Sequence, residues 1–332
     1  MVYCHFDADG LAAGALFGRA LPRLGFRDVH VVPSGRAESA FSEGARARLR
    51  ALAPDALVVT DLGVRADGVL DGVPTLYVDH HQPDGLPADP AATVVTGYGW
   101  DPIPCSAWLA YELLAPLAAA AGAPIDDLLW LGAVGTISDL GEKAPWPRLD
   151  EARRRYTAKW LKEAVVLVNA ARRASTFDVE TPLALLLRAE HPREVAEDRA
   201  GGADRLAAYR AEVNAALAEA RRAAPTFAAG GSPWALVRLH SACQVHPLLA
   251  QQWRGRLPRH AVIAANTGYL ADAVAFSART ARTDLDLPAL LRATGVGDGS
   301  GRFGHGHDQA SGGHLAPPAF DRLLERLGFG AA

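Results

Sequence analysis

The first part of the chain alternates between short apolar runs and helical patterns, and acidic or histidine residues follow several of the apolar runs. Short apolar runs that are separated by amphipathic segments predict the strands and helices of an α/β fold. Strands connected through helices form parallel sheets, and ligands bind at the carboxyl ends of such strands. We predict strands at 1–6, 29–33, 56–62 and 75–78, and helices at 10–24, 45–52, 105–121 and 128–137.

A second region of alternation begins near residue 233, after a long helical stretch. The chain has 332 residues, of which 49% are hydrophobic and 21% charged. This length and composition suit two folded domains and exclude a largely disordered chain. We therefore predict a parallel-sheet domain at 1–148, a helical linker at 149–228 and a smaller α/β domain at 229–332.

Charge and targeting patterns narrow the class of protein. The formal net charge of −3 argues against a bulk basic surface for nucleic acid, although a local basic groove is compatible with it. The three cysteines are scattered, so they indicate neither a disulfide framework nor a CxxC zinc site. The N-terminus does not resemble a signal peptide, and no apolar run predicts a membrane span. We expect a cytoplasmic protein with no membrane partner.

Eight acidic or histidine side chains follow predicted elements at four places in the first domain. Taken singly, each is more often a helix cap, a turn residue or a solvated side chain than a ligand. Together they would meet at one sheet edge, where so many like charges are costly unless cations neutralise them. The eight are His5, Asp7, Asp9, Asp61, Asp79, His80, His81 and Asp139.

Carboxylate and imidazole ligands without thiolates favour a hard or borderline cation, and we predict Mn²⁺ with Mg²⁺ as the alternative. One cation would leave several carboxylates unpaired, so two cations are the simpler interpretation. Two metals about 3.5–4 Å apart form a clamp for in-line displacement at phosphorus. The residues therefore predict a two-metal site for phosphoester chemistry.

Four segments of the first domain resemble the motifs of the DHH phosphoesterase superfamily. They are HFDADG, the strand end at Asp61, the DHH run at 79–81 and GTISDLG around Asp139. In the last domain, GHGHDQASGG at 304–313 and FSAR ending at Arg279 resemble the family's C-terminal DHH-associated domain. The resemblance implies an α/β fold with a metal-binding DHH domain, a helical linker and a smaller substrate-binding domain.

Two further features are more similar to RecJ than to other branches of the family. NAARR at 169–173 resembles the NAAGR element of RecJ-type exonucleases. His5 and Asp7 are only two residues apart, whereas family II pyrophosphatases and the pAp-phosphatase branch have a longer first motif. The resemblance is therefore to the RecJ-like members.

The resemblance implies roles for the residues of the first domain. Asp79 would orient a histidine ligand by a hydrogen bond. His81 would face the scissile phosphate as a phosphate ligand or proton donor. One cation would be held by His5, Asp7 and Asp61, and the other by Asp9, Asp61, His80 and Asp139.

The resemblance also implies that the last domain binds the substrate phosphate, with glycines that let the backbone approach and present N–H groups. His305 stands where the family usually has glycine. We predict a glycine- and histidine-rich loop at 295–313, and a flexible surface loop without substrate contact is the alternative interpretation. The implied substrate-binding residues are Arg279, Gly304, Gly306, His307, Gly312 and Gly313.

The function that we expect is two-metal hydrolysis of short single-stranded RNA or DNA, or of nucleic-acid ends, to mononucleotides. Full bacterial RecJ carries an added OB-fold, and only about 100 residues follow the linker here, which favours short substrates. One alternative is a small-molecule phosphatase or phosphodiesterase acting on pAp or cyclic dinucleotides. Another is a non-catalytic scaffold like the replisome relative of RecJ, which has lost metal ligands that this chain retains. The oligomeric state, a dimer included, stays open.

Overall fold

The computed structural model describes residues 1–36, 38–296 and 303–330, and for 305–307 it describes the backbone only. Within this part of the chain, no helix combines the length and the apolar content that are needed to cross a bilayer.

The chain forms two compact units. The first comprises Met1–Arg172 and Thr176–Arg210, and the second comprises Arg173–Ser175 and Ala211–Ala332. Each unit is built around its own sheet and its own apolar core. The division into three segments at 148 and 228 stays a prediction.

The first unit contains a five-stranded sheet in which all neighbouring strands are parallel. Its strands are β1 (Val2–Cys4), β2 (Val31–Pro33), β3 (Leu57–Thr60), β4 (Thr75–Asp79) and β5 (Ala92–Thr96). Their order is β2-β1-β3-β4-β5. Successive side chains point to opposite faces, so Val2 and Cys4 join one apolar core and Tyr3 joins the other. Both faces are therefore covered, as is usual for a parallel sheet.

Helices alternate with these strands, and further helices follow along the chain, the last of them crossing from the first unit into the second. They are α1 (Ala8–Arg23), α2 (Glu43–Ala51), α3 (Ser106–Ala120), α4 (Leu129–Leu140), α5 (Leu149–Tyr156), α6 (Ala158–Arg173), α7 (Glu180–Arg188), α8 (Pro192–Glu197) and α9 (Ala203–Ala220). α1 packs against β1, α3, α4 and α7. Because it is enclosed, its buried side chains are mostly small or apolar, from Ala8 to Ala20.

The second unit contains a six-stranded mixed sheet. Its strands are β6 (Thr226–Phe227), β7 (Trp234–Leu239), β8 (Ala261–Asn266), β9 (Val274–Thr280), β10 (Phe303–His307) and β11 (Ala310–Leu315). Their order is β10-β11-β9-β8-β7-β6, with β7 and β8 parallel and the other pairs antiparallel. The helices are α10 (His246–Arg256), α11 (Leu287–Ala293) and α12 (Pro317–Arg326).

The predicted fold class is confirmed, and some local predictions differ from the structure. β5 was not predicted, because it is a short edge strand without a buried apolar run. The loop predicted over 295–313 is wrong for 303–313, where β10 and β11 form an antiparallel hairpin. Glycine-rich sequence has weak strand propensity, but pairing of β11 with β9 outweighs it.

Candidate metal centre

Three neighbouring strands of the first sheet end at one edge, and each leads into predicted ligands. His5 follows β1, Asp61 follows β3, and His80 follows β4. Because β1, β3 and β4 are parallel neighbours, their carboxyl ends lie side by side. Residues that are far apart in sequence are thereby brought together.

Two helices supply the remaining candidate ligands. Asp7 is the N-cap of α1, and its carboxylate accepts a 3.1 Å hydrogen bond from the Gly10 N–H. Asp9 lies in the first turn of the same helix. Asp139 lies in the last turn of α4, whereas the sequence predicted it just beyond that helix. The Asp7 carboxylate is stabilised by its hydrogen bond from the N-terminus of α1.

The candidate ligand atoms form three overlapping groups, and within each group they lie within 4.8 Å of one another. Asp61 belongs to two of the groups and His80 also belongs to two. One group contains both residues. The groups are His5 with Asp7 and Asp61, Asp61 with His80 and His81, and Asp9 with His80 and Asp139.

The ring nitrogens of His5 and His80 lie close to the carboxylate oxygens around them. His5 Nδ1 lies 3.2 Å from Asp7 Oδ2 and 3.5 Å from Asp61 Oδ2. His80 Nε2 lies 3.5 Å from Asp61 Oδ1 and 3.8 Å from Asp139 Oδ2. Asp61 therefore faces His5 with one carboxylate oxygen and His80 with the other.

The group has a buried floor and an exposed rim. Asp9, Asp61 and His80 are each no more than 5% exposed, whereas Asp139 and His81 reach solvent. A ligand in solution can thus approach the acidic floor from the side of Asp139 and His81.

Asp61 has a left-handed backbone conformation, with a φ angle of 63°. Few residues other than glycine adopt it, and aspartate and asparagine tolerate it best because their short polar side chains bond locally. The turn comes directly after β3. The residue type that could ligate a cation is therefore also one that this backbone turn accepts.

Asp9 is held by the start of α3. Its two carboxylate oxygens accept 2.9 Å hydrogen bonds from the backbone N–H groups of Ser106 and Ala107. Each oxygen keeps a further lone pair with which it can ligate a cation. Gly135 of α4 faces the same carboxylate, and a Cβ there would lie 2.5 Å from Asp9 Oδ1 and would overlap the Ala107 Cβ.

Ser106 is a site residue that the sequence analysis missed. Its buried hydroxyl donates a 2.9 Å hydrogen bond to Asp61 Oδ1. A serine at the start of a predicted helix is common, and nothing in its local sequence indicates contact with an aspartate 45 positions away.

Asp79 is buried and pairs with His81. Its Oδ1 accepts hydrogen bonds from the His81 N–H and the His81 ring Nδ1, at 2.7 and 2.9 Å. Its Oδ2 accepts a 2.7 Å hydrogen bond from the Gly63 N–H. The resemblance implied that Asp79 orients a histidine ligand; in the structure the ring that it holds is that of His81.

The pKa values of the His5 and His80 rings are both strongly raised. Burial opposes the charged imidazolium, but Asp7 and Asp61 raise the pKa of His5 to about 10. Asp61, with Asp9 and Asp139, likewise raises the pKa of His80 to about 10 against the effect of burial. Both rings therefore carry a proton at neutral pH when no cation is bound.

The pKa values of the carboxyl groups in these clusters are shifted in opposite directions. Burial and the neighbouring charges of Asp61 and Asp139 raise the pKa of Asp9 well above its usual range. Burial raises the pKa of Asp139 to about 6, with Asp61 adding to the effect. Although burial opposes it, His5 holds the pKa of Asp7 well below the usual range. Negative charge at Asp9 and Asp139 is thus poorly compensated in the protein alone.

These side chains fit divalent cations. The three groups consist only of carboxylates and imidazoles, the ligand types that suit Mn²⁺ and related ions. The protein itself supplies too little positive charge around Asp9 and Asp139, since the pKa values of both carboxyl groups are raised. Two bound cations would supply that charge.

The predicted substrate-binding residues lie together in the second unit. Arg279 on β9 is opposite Ala310, which pairs with His307 on β10. Arg279 Nη1 donates hydrogen bonds to the carbonyls of Ala278 and Ser311, at 3.0 and 3.2 Å. The side chains of residues 305–307, His307 among them, lie outside the described part. The glycines of the hairpin are Gly304 and Gly306 on β10 and Gly312 and Gly313 on β11.

No family model matches the sequence, and no curated protein does. Solved structures do match. RecJ from Thermus thermophilus in complex with Mn²⁺ is 23% identical, with a TM-score of 0.74 over 98% of this chain and 51% of that one. RecJ from the same organism has also been solved with Mg²⁺. The present chain thus spans about half the length of that RecJ.

Two shorter proteins match over most of their length. An exonuclease RecJ bound to manganese is 23% identical, with a TM-score of 0.69 over 98% of this chain and 88% of that one. A pGpG-specific phosphodiesterase, PggH from Vibrio cholerae, is 13% identical, with a TM-score of 0.53 over 98% of this chain and 96% of that one. At these identities the likeness is one of fold.

Proposed function

We propose, on the premise that this chain has the RecJ-like fold of the DHH superfamily, that it is a two-metal phosphodiesterase. Its substrates would be short single-stranded oligonucleotides or nucleic-acid ends, and its products mononucleotides. The observation that carries the proposal is the overlap of three carboxylate and imidazole groups through Asp61 and His80.

The residues divide between two adjacent cation sites in this proposal. When bound, two divalent cations would polarise the phosphate and activate water at neutral pH. The first would be held by His5, Asp7 and Asp61, and the second by Asp9, Asp61, His80 and Asp139. The Mn²⁺ and Mg²⁺ complexes of RecJ support a divalent ion of this kind.

His81 would supply the proton that the reaction needs. Hydrolysis joins the oxygen of water to phosphorus and breaks the bond to the departing ester oxygen, which must then be protonated. An ionised Asp79 can only accept hydrogen bonds, so the His81 Nδ1–H donates to it and Nε2 is left for the substrate. Burial lowers the pKa of His81, but the hydrogen bond and charge of Asp79 raise it by more. The pKa therefore lies above its ordinary value, which favours the protonated ring. Asp79 would act by positioning His81.

The second unit would bind the substrate phosphate through Arg279 and the glycine-rich hairpin. Backbone N–H groups beside glycine can approach a phosphate closely. Burial lowers the pKa of the Arg279 guanidinium, but a side chain of this type still carries its charge at neutral pH.

A second candidate substrate is a dinucleotide or another small nucleotide such as pAp. Its support is the likeness to PggH, which covers nearly all of both chains. Both candidates need attack of water at phosphorus, on a diester in oligonucleotides and dinucleotides and on a monoester in pAp, and they differ in how many nucleotides are bound.

The test is a substrate panel with purified, Mn²⁺-loaded protein. RNA and DNA of various short lengths, labelled at either end, would be compared with pAp, pGpG and cyclic dinucleotides. We expect the oligonucleotides to be shortened, with no turnover by Asp139→Asn. If no oligonucleotide is shortened but pAp or a dinucleotide is hydrolysed, the second candidate replaces the first. If nothing is hydrolysed, the phosphodiesterase proposal is wrong.

A further inference from the structure

The segment 97–105, between β5 and α3, is attached at both ends to the candidate metal centre. At its start, the Gly97 N–H donates a 2.9 Å hydrogen bond to the carbonyl of Asp79. Just past its end, Ser106 bonds Asp9 through its backbone and Asp61 through its hydroxyl. We call this segment the β5–α3 loop. Its position relative to the cluster is therefore set by direct hydrogen bonds.

A tight turn orders the first half of this loop. The Trp100 N–H donates a 3.1 Å hydrogen bond to the Gly97 carbonyl, which closes a four-residue β-turn. Gly99 at its third position has a φ angle of 81°, as a type II turn requires. The Tyr98 N–H is bonded to the Thr96 hydroxyl. In such a turn the Cα atoms of Gly97 and Trp100 lie within about 7 Å.

The turn presents two aromatic side chains to solvent. Tyr98 is 45% exposed and Trp100 is 56% exposed. Ile103, from the same loop, is 41% exposed. Three of the ten large apolar side chains that are exposed in the described part of the chain thus fall between residues 98 and 103. Exposed apolar side chains that cluster in this way, here in a loop attached to the candidate metal centre, indicate a candidate binding surface.

We propose that Tyr98 and Trp100 form a stacking surface for nucleobases next to the scissile phosphate. This inference rests on the proposed phosphodiesterase function and narrows its substrate to oligonucleotides with a base beyond the bond that is cut. Aromatic rings on proteins bind single strands by stacking on bases, with little dependence on sequence. Aromatic side chains of the loop would contribute affinity that the acidic cluster, with its negative floor, does not provide.

The expected effect is on binding rather than on chemistry. Stacking on one base is worth a factor of about ten in affinity. We expect Trp100→Ala and Tyr98→Ala each to raise KM for a trinucleotide about tenfold with kcat little changed. Trp100→Phe and Tyr98→Phe should retain most of the affinity. Turnover of a fully abasic deoxyribose phosphodiester, which has no ring that can stack, should be unaffected.

A cycle of protein and substrate changes tests stacking directly. Trinucleotides that are abasic at one position in turn keep their phosphates and lose one base. For one of these positions, loss of the base should weaken binding about tenfold with wild-type protein and hardly at all with Trp100→Ala or Tyr98→Ala. Phe26→Ala is the matched control, because Phe26 is 58% exposed and lies beyond the far end of α1.

Calorimetric titration of unlabelled hexathymidylate in EDTA gives a readout that is independent of activity. The stacking inference fails if the loop variants bind the hexamer as wild type does, or if the variants lose affinity equally for intact and abasic trinucleotides. Loss of self-association or of a protein contact without loss of oligonucleotide binding would also overturn it. If the wild type binds the hexamer through Trp100 but hydrolyses nothing, the stacking inference stands and the phosphodiesterase proposal fails.

Discussion

The hydroxyl of Ser106 donates a 2.9 Å hydrogen bond to Oδ1 of Asp61, the carboxylate that two of the candidate ligand groups share. Both side chains are buried. The bond joins the first residue of α3 to the end of β3 and fixes the orientation of the carboxylate.

Ser106→Ala should therefore weaken Mn²⁺ binding while preserving the fold. Partners that orient a ligand are typically worth about 10–100-fold in metal affinity. Stability should fall by about 1–3 kcal/mol, because Asp61 loses a buried partner. The affinity is measured by calorimetry with Mn²⁺. Ser42→Ala is the control, since it removes the N-cap hydroxyl of α2 at a comparable cost in stability. Unchanged Mn²⁺ affinity in Ser106→Ala would contradict the interpretation.

Asp139→Asn should abolish hydrolysis and stabilise the metal-free protein at alkaline pH. The pKa of Asp139 is raised to about 6, above its ordinary value, so the folded protein holds a proton that the unfolded chain has lost. Wild-type stability should thus fall as pH rises from about 4 to 6, a loss that the amide avoids. Melting temperatures in EDTA should be similar near pH 4 and higher for Asp139→Asn near pH 8. Asp321→Asn on α12 is the control for the loss of one exposed carboxylate. A lower melting temperature for Asp139→Asn at alkaline pH would count against this explanation.

Binding of Mn²⁺ should release protons and tighten as pH rises from about 6 to 9. His5 and His80, each with a pKa of about 10, are protonated in the metal-free protein, whereas a cation binds neutral imidazole. These raised pKa values also stabilise the metal-free fold at neutral pH, a contribution that is lost as pH rises through about 10. Calorimetry in buffers of different ionisation enthalpy counts the released protons. Binding without proton release at neutral pH would contradict the combination of protonated imidazoles in the metal-free protein and imidazole ligation in the loaded one.

Gly135→Ala should disturb the metal centre from within α4. The added methyl group would meet Ala107 and the Asp9 carboxylate, both of which are backed by the buried start of α3. We expect a lower melting temperature and roughly tenfold or more weaker Mn²⁺ binding. Gly44→Ala in α2 is the matched control, because no atom lies within 4 Å of the new methyl group. That change should leave Mn²⁺ binding unaltered and, because Gly44 lies in the first turn of α2, stabilise the helix by less than about 1 kcal/mol. If Gly135→Ala and Gly44→Ala had the same melting temperature and the same Mn²⁺ affinity, close packing at Gly135 would not be what positions the Asp9 carboxylate.

The amino-acid sequence by itself determined the class of the fold and the residue types of the candidate site. Apolar runs with a period of two or of 3.6 depend on nearby residues only, so the parallel sheet and most of its helices were predictable. The acids and histidines that follow β1, β3 and β4 were predictable for the same reason, because strand ends are local features. Their roles as cation ligands stay a proposal.

Only the tertiary structure decided which side chains support those residues. The partner of Asp61 at Ser106, the space for Asp9 beside Gly135 and the pairing of Asp79 with His81 depend on atoms that folding brings into contact. The same holds for the β10–β11 hairpin, whose glycine-rich strands exist because β11 pairs with β9. Such contacts arise from packing between residues that are far apart in sequence, so local propensity cannot predict them.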